Sequence, residues 1–242
     1  MNLTFLGTGT TVNKRAGASI HVQTDKSMLF DIGPRSVWNM ERARITRKSI
    51  EAIFVSHGHA DHYSDFLIFY FDAVTSDRET HIGVFCPRGL AKSLKAMTEF
   101  PINDKAKFGK TIKEVGNEKI LVGRTTIIAK EVIHDPEIHA NAYRIEYHGK
   151  SVVYSGDSVK CKELIEISKG ADLAVFEAAH VRSHPKHMTP YEAGEAAQEA
   201  GVKKLVLTHL YPDSDEADIV SMAKKKFSGE VIKAEDLMGI EV

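Results

Sequence analysis

Residues 56–62 constrain this chain more than any other segment. They read Ser-His-Gly-His-Ala-Asp-His, so three histidines and an aspartate share six positions. An apolar strand-like stretch, residues 52–55, precedes the segment, and an apolar helix-like run, residues 66–71, follows it. A solvated loop has little reason to lie between two core segments, whereas imidazole and carboxylate groups together suit a metal such as zinc. The segment therefore predicts a metal site.

The spacing within this segment suits two ions. His57 and His59 alternate, so in an extended turn both can face one ion. Asp61 and His62 open the helix that carries the aromatic run and can face a second ion. The residues between them are glycine and alanine, which let the backbone pack tightly around the metals.

Strand-like and helix-like segments recur along the chain. The strand-like segments are rich in β-branched and aromatic residues, and the helix-like segments mix apolar and charged residues at helical spacing. Thr189 followed by Pro190 is typical of a helix start, and Gly201 of a helix end. Strands follow one another early and alternate with helices later, so we predict an α/β protein with mixed sheets. The predicted strands cover residues 3–6, 19–22, 28–31, 52–55, 82–85, 126–129, 151–154, 173–176 and 205–208, and the predicted helices cover residues 87–97, 161–168, 190–200 and 215–227.

Three of the predicted strands end in a residue that can bind a metal. These residues are His57, Asp157 and His209. Sites in α/β proteins tend to form at the carboxyl ends of strands. We therefore expect the three side chains to meet at one edge of the sheets.

Composition excludes several classes of protein. The chain has 242 residues and a net charge of −1, so no overall field favours nucleic acid or a membrane surface. No apolar run approaches the roughly 20 residues of a membrane span, and residues 1–6 do not resemble a signal peptide. Cys86 and Cys161 form no CxxC pair or disulfide framework. We expect a cytoplasmic protein with no membrane partner.

The histidine-rich segment resembles the signature HxHxDH of the metallo-β-lactamase fold superfamily. Other segments resemble further motifs of that family in the same order along the chain, from about residue 7 to about residue 209. They are the DxG turn at Asp31, the isolated third histidine at His134, the bridging aspartate at Asp157 and the last histidine at His209. The resemblance implies a four-layer αβ/βα sandwich, in which two mixed sheets are flanked by helices, and we expect residues 1–242 to form one such domain.

The resemblance also implies a ligand set for two divalent ions. Zinc is the first choice, and manganese or iron are alternatives because His/Asp sites accept all three. His139 stands close to His134 in the sequence and is an alternative third histidine, although His134 directly follows the strand as the pattern requires. The implied ligands are His57, His59 and His134 for the first ion, Asp61, His62 and His209 for the second, and Asp157 between the two.

Two further segments resemble the ribonuclease Z-like branch of that family. They are the glycine-rich opening at residues 6–19 and the His187-Met188-Thr189 segment with the helix after it. In that branch the H-x-T histidine assists phosphodiester cleavage, so the resemblance assigns a catalytic role to His187. The alternative is that His187 only helps to start the helix.

RNA is not the favoured substrate. Between His62 and His134 the sequence shows no Gly/Pro-rich insertion like the arm with which ribonuclease Z grips tRNA. The lysines of that stretch are more typical of a solvated face than of an RNA-binding surface. We expect a small-molecule or nucleotide phosphodiester instead. The lysines are Lys92, Lys95, Lys105, Lys107, Lys110 and Lys113.

Three functions stay open at this point. The first is a phosphodiesterase in which Asp61 orients or deprotonates a water and His187 assists at the phosphoryl group or leaving oxygen. The second is hydrolysis of a lactone, ester, thioester or β-lactam by the same metals. The third is a non-catalytic protein that keeps the metals for structure.

Several neighbouring features have less certain roles. Glu177 follows a strand and either orients a histidine or is a surface carboxylate. His180 and His184 are expected at the surface or at the rim of the pocket. The apolar run at residues 66–71 is apolar on more than one helical face, which suggests either a homodimer interface or a fully packed core helix.

Overall fold

Two seven-stranded sheets form the frame of the protein, in a computed structural model that describes residues 1–11, 13–76, 78–99 and 106–242. Within that part of the chain, the first sheet has the order β14-β1-β2-β3-β4-β5-β6 and the second the order β13-β12-β11-β10-β9-β8-β7. The strands of the first sheet are β1 (Asn2–Gly7), β2 (Ser19–Gln23), β3 (Ser27–Phe30), β4 (Ile50–Phe54), β5 (Ile82–Cys86), β6 (Lys110–Glu114) and β14 (Gly239–Glu241). Those of the second are β7 (Lys119–Val122), β8 (Thr125–Val132), β9 (Ala140–Tyr147), β10 (Lys150–Tyr154), β11 (Leu173–Glu177), β12 (Lys204–Thr208) and β13 (Glu230–Lys233).

Both sheets are mixed in the same way. In the first sheet, the pairs from β14 to β3 are antiparallel and the pairs from β3 to β6 are parallel. In the second sheet, the pairs from β7 to β10 are antiparallel and those from β10 to β13 are parallel. Strands β10 and β12 belong to one parallel set and end on the same side, so the polar residues that follow them can converge. Strand β4 belongs to the parallel set of the other sheet, and the residue His57 that follows it lies close to Asp157.

Helices cover the outer faces of the sheets. One apolar cluster fills the space between the two sheets, and two more lie between a sheet and its helices, which makes four layers. The predicted α/β sandwich with two mixed sheets flanked by helices is therefore confirmed. The helices are α1 (Ser36–Arg42), α2 (Ala60–Tyr63), α3 (Phe66–Thr75), α4 (Ala91–Ala96), α5 (Lys162–Ser168), α6 (Pro190–Ala200), α7 (Pro212–Glu216) and α8 (Ile219–Lys224), with a 3-10 turn at Arg47–Ser49.

Helix α6 matches its predicted bounds, and the local sequence explains why. The Thr189 side chain accepts a hydrogen bond from the backbone N–H of Glu192, and the Glu192 side chain accepts one from the backbone N–H of Thr189. Pro190 occupies the first helical position, and Gly201 ends the helix in the left-handed region with φ of 62°. All the signals that define this helix are local.

Three helix predictions need correction. The predicted helix 87–97 begins only at Ala91, because Gly89 has φ of 87° and turns the chain. The predicted helix 215–227 is two short helices, α7 and α8, because Ala217 is extended and Asp218 caps the second one. Asp61 and His62 lie on the separate helix α2, and the aromatic run forms α3.

Other elements were not predicted at all. They are β6, β7, β13 and β14, which carry polar or short sequences, the eight-residue strand β9, and helix α1. Lys105 lies outside the described residues. None of the helices in the described ranges is both long and apolar enough to cross a lipid bilayer.

Candidate metal centre

Three strands end at the site and bring residues from distant parts of the chain together. His57 lies three residues beyond β4, Asp157 three residues beyond β10, and His209 directly after β12. The backbone of His209 has φ of 56°, a left-handed conformation that costs energy in a non-glycine residue and is found disproportionately at functional sites. All three side chains are buried.

The first group of candidate ligands is His57, His59, His134 and Asp157. One nitrogen or oxygen of each lies within 4.8 Å of the others. Nδ1 of His59 is 2.9 Å from Nε2 of His57 and 3.2 Å from Nε2 of His134. Oδ2 of Asp157 lies 3.6 Å from Nε2 of His57 and 3.9 Å from Nε2 of His134. The four donor atoms surround a space suited to one cation.

The second group is Asp61, His62 and His209, and it lies on the other side of Asp157. Nε2 of His209 is 3.2 Å from Nε2 of His62 and 3.3 Å from Oδ2 of Asp61. Oδ1 of Asp157 is 3.3 Å from Nε2 of His62 and 3.5 Å from Nδ1 of His209. The two oxygens of one carboxylate therefore face different ligand groups.

Two buried atoms at this centre lack a hydrogen-bond partner among the described residues. They are Oδ1 of Asp157 and Nδ1 of His209. An unsatisfied buried polar atom is costly, so it calls for a partner that the polypeptide itself does not provide. Imidazole nitrogens and carboxylate oxygens are the donor types of zinc and similar metals. The residues present thus fit divalent cations.

Outer hydrogen bonds determine which nitrogen of His62 and of His134 faces the centre. Nδ1 of His62 donates to Oδ2 of Asp31 at 2.7 Å, and Nδ1 of His134 donates to the carbonyl of Lys186 at 2.8 Å. Asp31 is fully buried and also accepts hydrogen bonds from Ser56 and Tyr154. In both histidines Nε2 is left to face Asp157, the arrangement typical of metal-binding histidines.

The protonation states of several candidate ligands suit cation binding. His62 is the exception, because burial lowers its pKa but Asp157 and Asp31 outweigh this effect and raise the pKa well above the usual value, so a cation would have to displace its proton. Burial lowers the pKa of His57 well below its usual value and that of His134 to about 4, so both are neutral at pH 7. Burial opposes ionisation of Asp157, but His209, His62 and His57 outweigh it and hold the pKa of this carboxyl well below its usual range. Asp61 behaves similarly: burial opposes ionisation, yet His209 and His62 lower its pKa to about 2. Neutral imidazoles and ionised carboxylates are the forms that bind metals.

His187 lies beside the centre and is held by Glu177. Nδ1 of His187 is 3.0 Å from Oε1 and 3.2 Å from Oε2 of Glu177, and 3.8 Å from Oδ2 of Asp157. Glu177 is fully buried at the end of β11, where it also accepts a hydrogen bond from the backbone N–H of Ser158. Of its two predicted roles, the surface carboxylate is therefore wrong, and the contact with a histidine is present.

Comparison with known proteins identifies the family. A family model described as "Beta-lactamase superfamily domain" matches residues 27–210, which include every candidate ligand described above. The chain belongs to this family.

Relatives of this β-lactamase superfamily protein span its full length. It is 28% identical to a ribonuclease Z of Archaeoglobus fulgidus over an alignment of 300 positions that covers 99% of this chain and 97% of the relative. The metallo-β-lactamase fold protein YhfI of Bacillus subtilis superposes with a TM-score of 0.86 at 24% sequence identity. The superposition covers 100% of this chain and 98% of the YhfI chain. A diphosphatase of the PhnP family has a TM-score of 0.78 at 24% identity, with 100% and 97% covered. The predicted resemblance is confirmed, and the protein is a hydrolase of this fold.

The other histidines that the sequence singled out lie either in a ligand group or outside the centre. His134 is part of the first ligand group, whereas His139 is exposed and lies 3.4 Å from Glu131. His180 and His184 lie at the rim, with ring centroids 5.7 and 5.0 Å from that of His187. Sequence reasoning missed Ser56 and Tyr154 as partners of Asp31, because a serine or tyrosine at a strand end has no distinctive signal.

Proposed function

We propose that this protein holds two divalent ions and uses them to hydrolyse phosphodiester bonds. One observation carries the proposal: the two oxygens of Asp157 face two separate groups of candidate ligands. A single carboxylate in this position can hold two ions close together. His57, His59 and His134 would bind one ion, Asp61, His62 and His209 would bind the other, and Asp157 would bind both.

The residues around the ions have distinct roles in this proposal. When bound, two divalent ions would supply Lewis-acid chemistry and lower the pKa of a water towards the neutral range. The pKa of Asp61 is lowered to about 2, so its carboxylate is ionised and can orient that water by accepting a hydrogen bond, whereas so low a pKa makes it a weak acceptor of the proton itself. Glu177 and Nδ1 of His187 are close enough to share one proton. Nε2 of His187 can then carry its own hydrogen, directed away from Glu177, and donate it to a phosphoryl or leaving oxygen.

His187 favours phosphodiesters over the other bonds that this fold can hydrolyse. A positioned donor beside two cations suits a phosphoryl group that carries negative charge and has an oxygen leaving group. The relatives named ribonuclease Z and diphosphatase support the same bond class. Lactones, esters, thioesters and β-lactams are the alternative substrates, and they need no such donor at this position.

A small or nucleotide phosphodiester fits this chain better than a tRNA. The alignment with the Archaeoglobus ribonuclease Z is longer than this 242-residue chain, so that relative carries insertions that this chain lacks. The net charge of −1 also offers little general attraction for RNA. We further propose zinc as the native metal, on the basis of its preference for such ligands, and a cytoplasmic location, on the basis of two free buried cysteines.

A substrate panel and metal analysis test the proposal together. Purified protein should contain or take up two equivalents of a transition metal, measured by mass spectrometry of the elements. It should hydrolyse bis(p-nitrophenyl) phosphate or a phosphocholine ester, lose this activity with a chelator, and regain it when metal is restored.

Two results would contradict the proposal in different ways. Turnover of lactones or nitrocefin, with no turnover of any phosphodiester, would favour the second bond class at the same metal centre. Protein that neither contains nor takes up metal would contradict the two-ion site itself.

A further inference from the structure

A groove of about 250 Å³ opens beside the candidate metal centre. It shares Gly58 and Tyr63 with the ligand-bearing segment and its short helix α2. A Cβ atom placed on Gly58 would lie 3.6 Å from Cδ1 of Leu90, so the wall of the groove packs directly against the segment between His57 and His59. A group bound in the groove would therefore lie beside the segment that carries His57 and His59.

The groove presents planar side chains together with aliphatic ones. Tyr63, Arg88 and His139 contribute a phenol, a guanidinium and an imidazole, while Leu90 and Ile138 contribute aliphatic surface. Flat π-systems bind to such walls by stacking and by cation–π contact. These side chains thus suit a flat ring.

Arg88 is held in a fixed position at this groove. Its Nε and Nη2 bind Oε1 of Glu131 at 3.0 and 2.6 Å, and Nη2 also binds Oε2 at 2.8 Å. Within the described residues, Nη1 of Arg88 has no hydrogen-bond partner. Since Glu131 compensates the charge of Arg88, a bare anion gains little there, whereas the guanidinium plane and its Nη1–H donors are available to a polar ring.

The backbone of the loop that carries Arg88 is also held by hydrogen bonds to Glu114. Oε1 of Glu114 accepts hydrogen bonds from the backbone N–H groups of Gly89 at 3.0 Å and Ala91 at 3.2 Å. Leu90 between them is buried. The groove is therefore preformed, which reduces the entropy lost when a ligand binds.

We propose that this groove binds one heteroaromatic ring of the substrate, such as a nucleobase attached to the scissile phosphodiester. The volume suits one ring with part of its sugar and is too small for a base-paired stem. This inference rests on the proposed function, because it places the ring relative to a phosphodiester at the metal centre. It names mononucleotide esters as the substrate class of that site.

Two esters with the same leaving group test the inference. The p-nitrophenyl ester of thymidine 5′-monophosphate carries a base, and methyl p-nitrophenyl phosphate does not. Because stacking of a base on such side chains is worth a factor of ten or so, kcat/KM should be about 10-fold or more higher for the thymidine ester. The difference should lie mainly in KM.

Ser93→Trp and Lys92→Trp form a matched pair of variants. Both positions are exposed on helix α4, but only Ser93 lines the groove, so a tryptophan there fills the space in which the ring would bind. Ser93→Trp and Arg88→Ala should each lower the ratio of the two kcat/KM values to near one. Lys92→Trp should keep the wild-type ratio.

Equal kcat/KM values for the two esters in the wild type, or an unchanged ratio in Ser93→Trp, would overturn the inference. If neither ester is hydrolysed, the proposed function fails, and calorimetric titration with thymidine 5′-monophosphate decides about the groove. Binding that Ser93→Trp weakens and Lys92→Trp does not would then support the groove. Equal binding by the two variants would refute it.

Discussion

At the residue scale, the centre depends on partners that orient three of its imidazoles. Asp31 holds His62, the carbonyl of Lys186 holds His134, and Glu177 holds His187. Such contacts fix the ring orientation before a cation or substrate arrives. In these contacts Nε2 of His62 and His134 faces Asp157, whereas Nδ1 of His187, the atom held by Glu177, lies 3.8 Å from it. Asp157, His187 and His209 also lie close enough together to hold a cation, so the role of His187 has to be decided by experiment.

His187→Ala should retain both metal ions and lower phosphodiesterase turnover by about 10²-fold or more, the usual scale for a positioned proton donor. Asp157→Ala should lose metal and activity together, because one oxygen of this carboxylate faces His57 and the other faces His62. Metal content and kcat would be measured on the same preparations.

Comparing these two variants distinguishes a catalytic role of His187 from a structural one. Full activity of His187→Ala on every phosphodiester tested would reduce His187 to a residue that precedes helix α6, and the lactone and ester alternatives would gain weight. Retention of two ions by Asp157→Ala would contradict its bridging position.

At the scale of elements, the site is assembled by segments that follow strands and by the start of one helix. β4, β10 and β12 each lead into a candidate ligand, and His187 stands two residues before the Thr189 cap of α6. The cap is thus part of the structure that positions the catalytic candidate. Its energy can be measured separately from the chemistry.

Thr189→Ala should lower the free energy of unfolding by about 1 kcal/mol, since it removes the side-chain half of the capping box. Thr189→Ser keeps the hydroxyl and should stay close to the wild type. Urea unfolding at constant metal concentration measures both. Equal destabilisation by serine and alanine would show that the methyl group of Thr189, rather than its hydrogen bond, supports the helix.

At the scale of the whole molecule, apolar side chains from the first and last strands meet in one core. Leu3 and Phe5 of β1 pack in the same cluster as Val152 of β10 and Val206 of β12, and β14 pairs with β1. This arrangement supports our proposal that residues 1–242 form one domain. The outer surface retains apolar groups: Trp38 is 68% exposed and Ile68 is 55% exposed, and both line one depression.

These exposed side chains favour the homodimer over the alternative of a fully packed α3. Light scattering at micromolar concentration should give about twice the 26.8 kDa of one chain. Ile68→Glu should shift the protein to the monomer, because it places a charge in the apolar contact. Leu121→Glu, at another exposed apolar position, should remain dimeric. A wild-type monomer would decide against this interface.

The sequence by itself determined the features that local chemistry specifies. The start, end and cap of helix α6 are specified by residues next to them in the sequence, and the predicted strands are short apolar runs rich in β-branched and aromatic residues. The segment 56–62 combined candidate ligands of both groups within a few positions. These predictions needed only periodicity, capping residues and the side-chain types that bind metals.

Tertiary structure alone decided the features that depend on contacts between distant residues. The sequence favoured His134 over His139 because His134 directly follows the strand, but the choice between them was decided by the packing of His134 against His59 and Lys186. The sequence allowed Glu177 to be a surface carboxylate, but the structure buries it at the end of β11 in contact with His187. The groove likewise combines residues from three separate segments. Such contacts form only when the two sheets pack together, because local sequence carries no information about which distant side chain will be the neighbour.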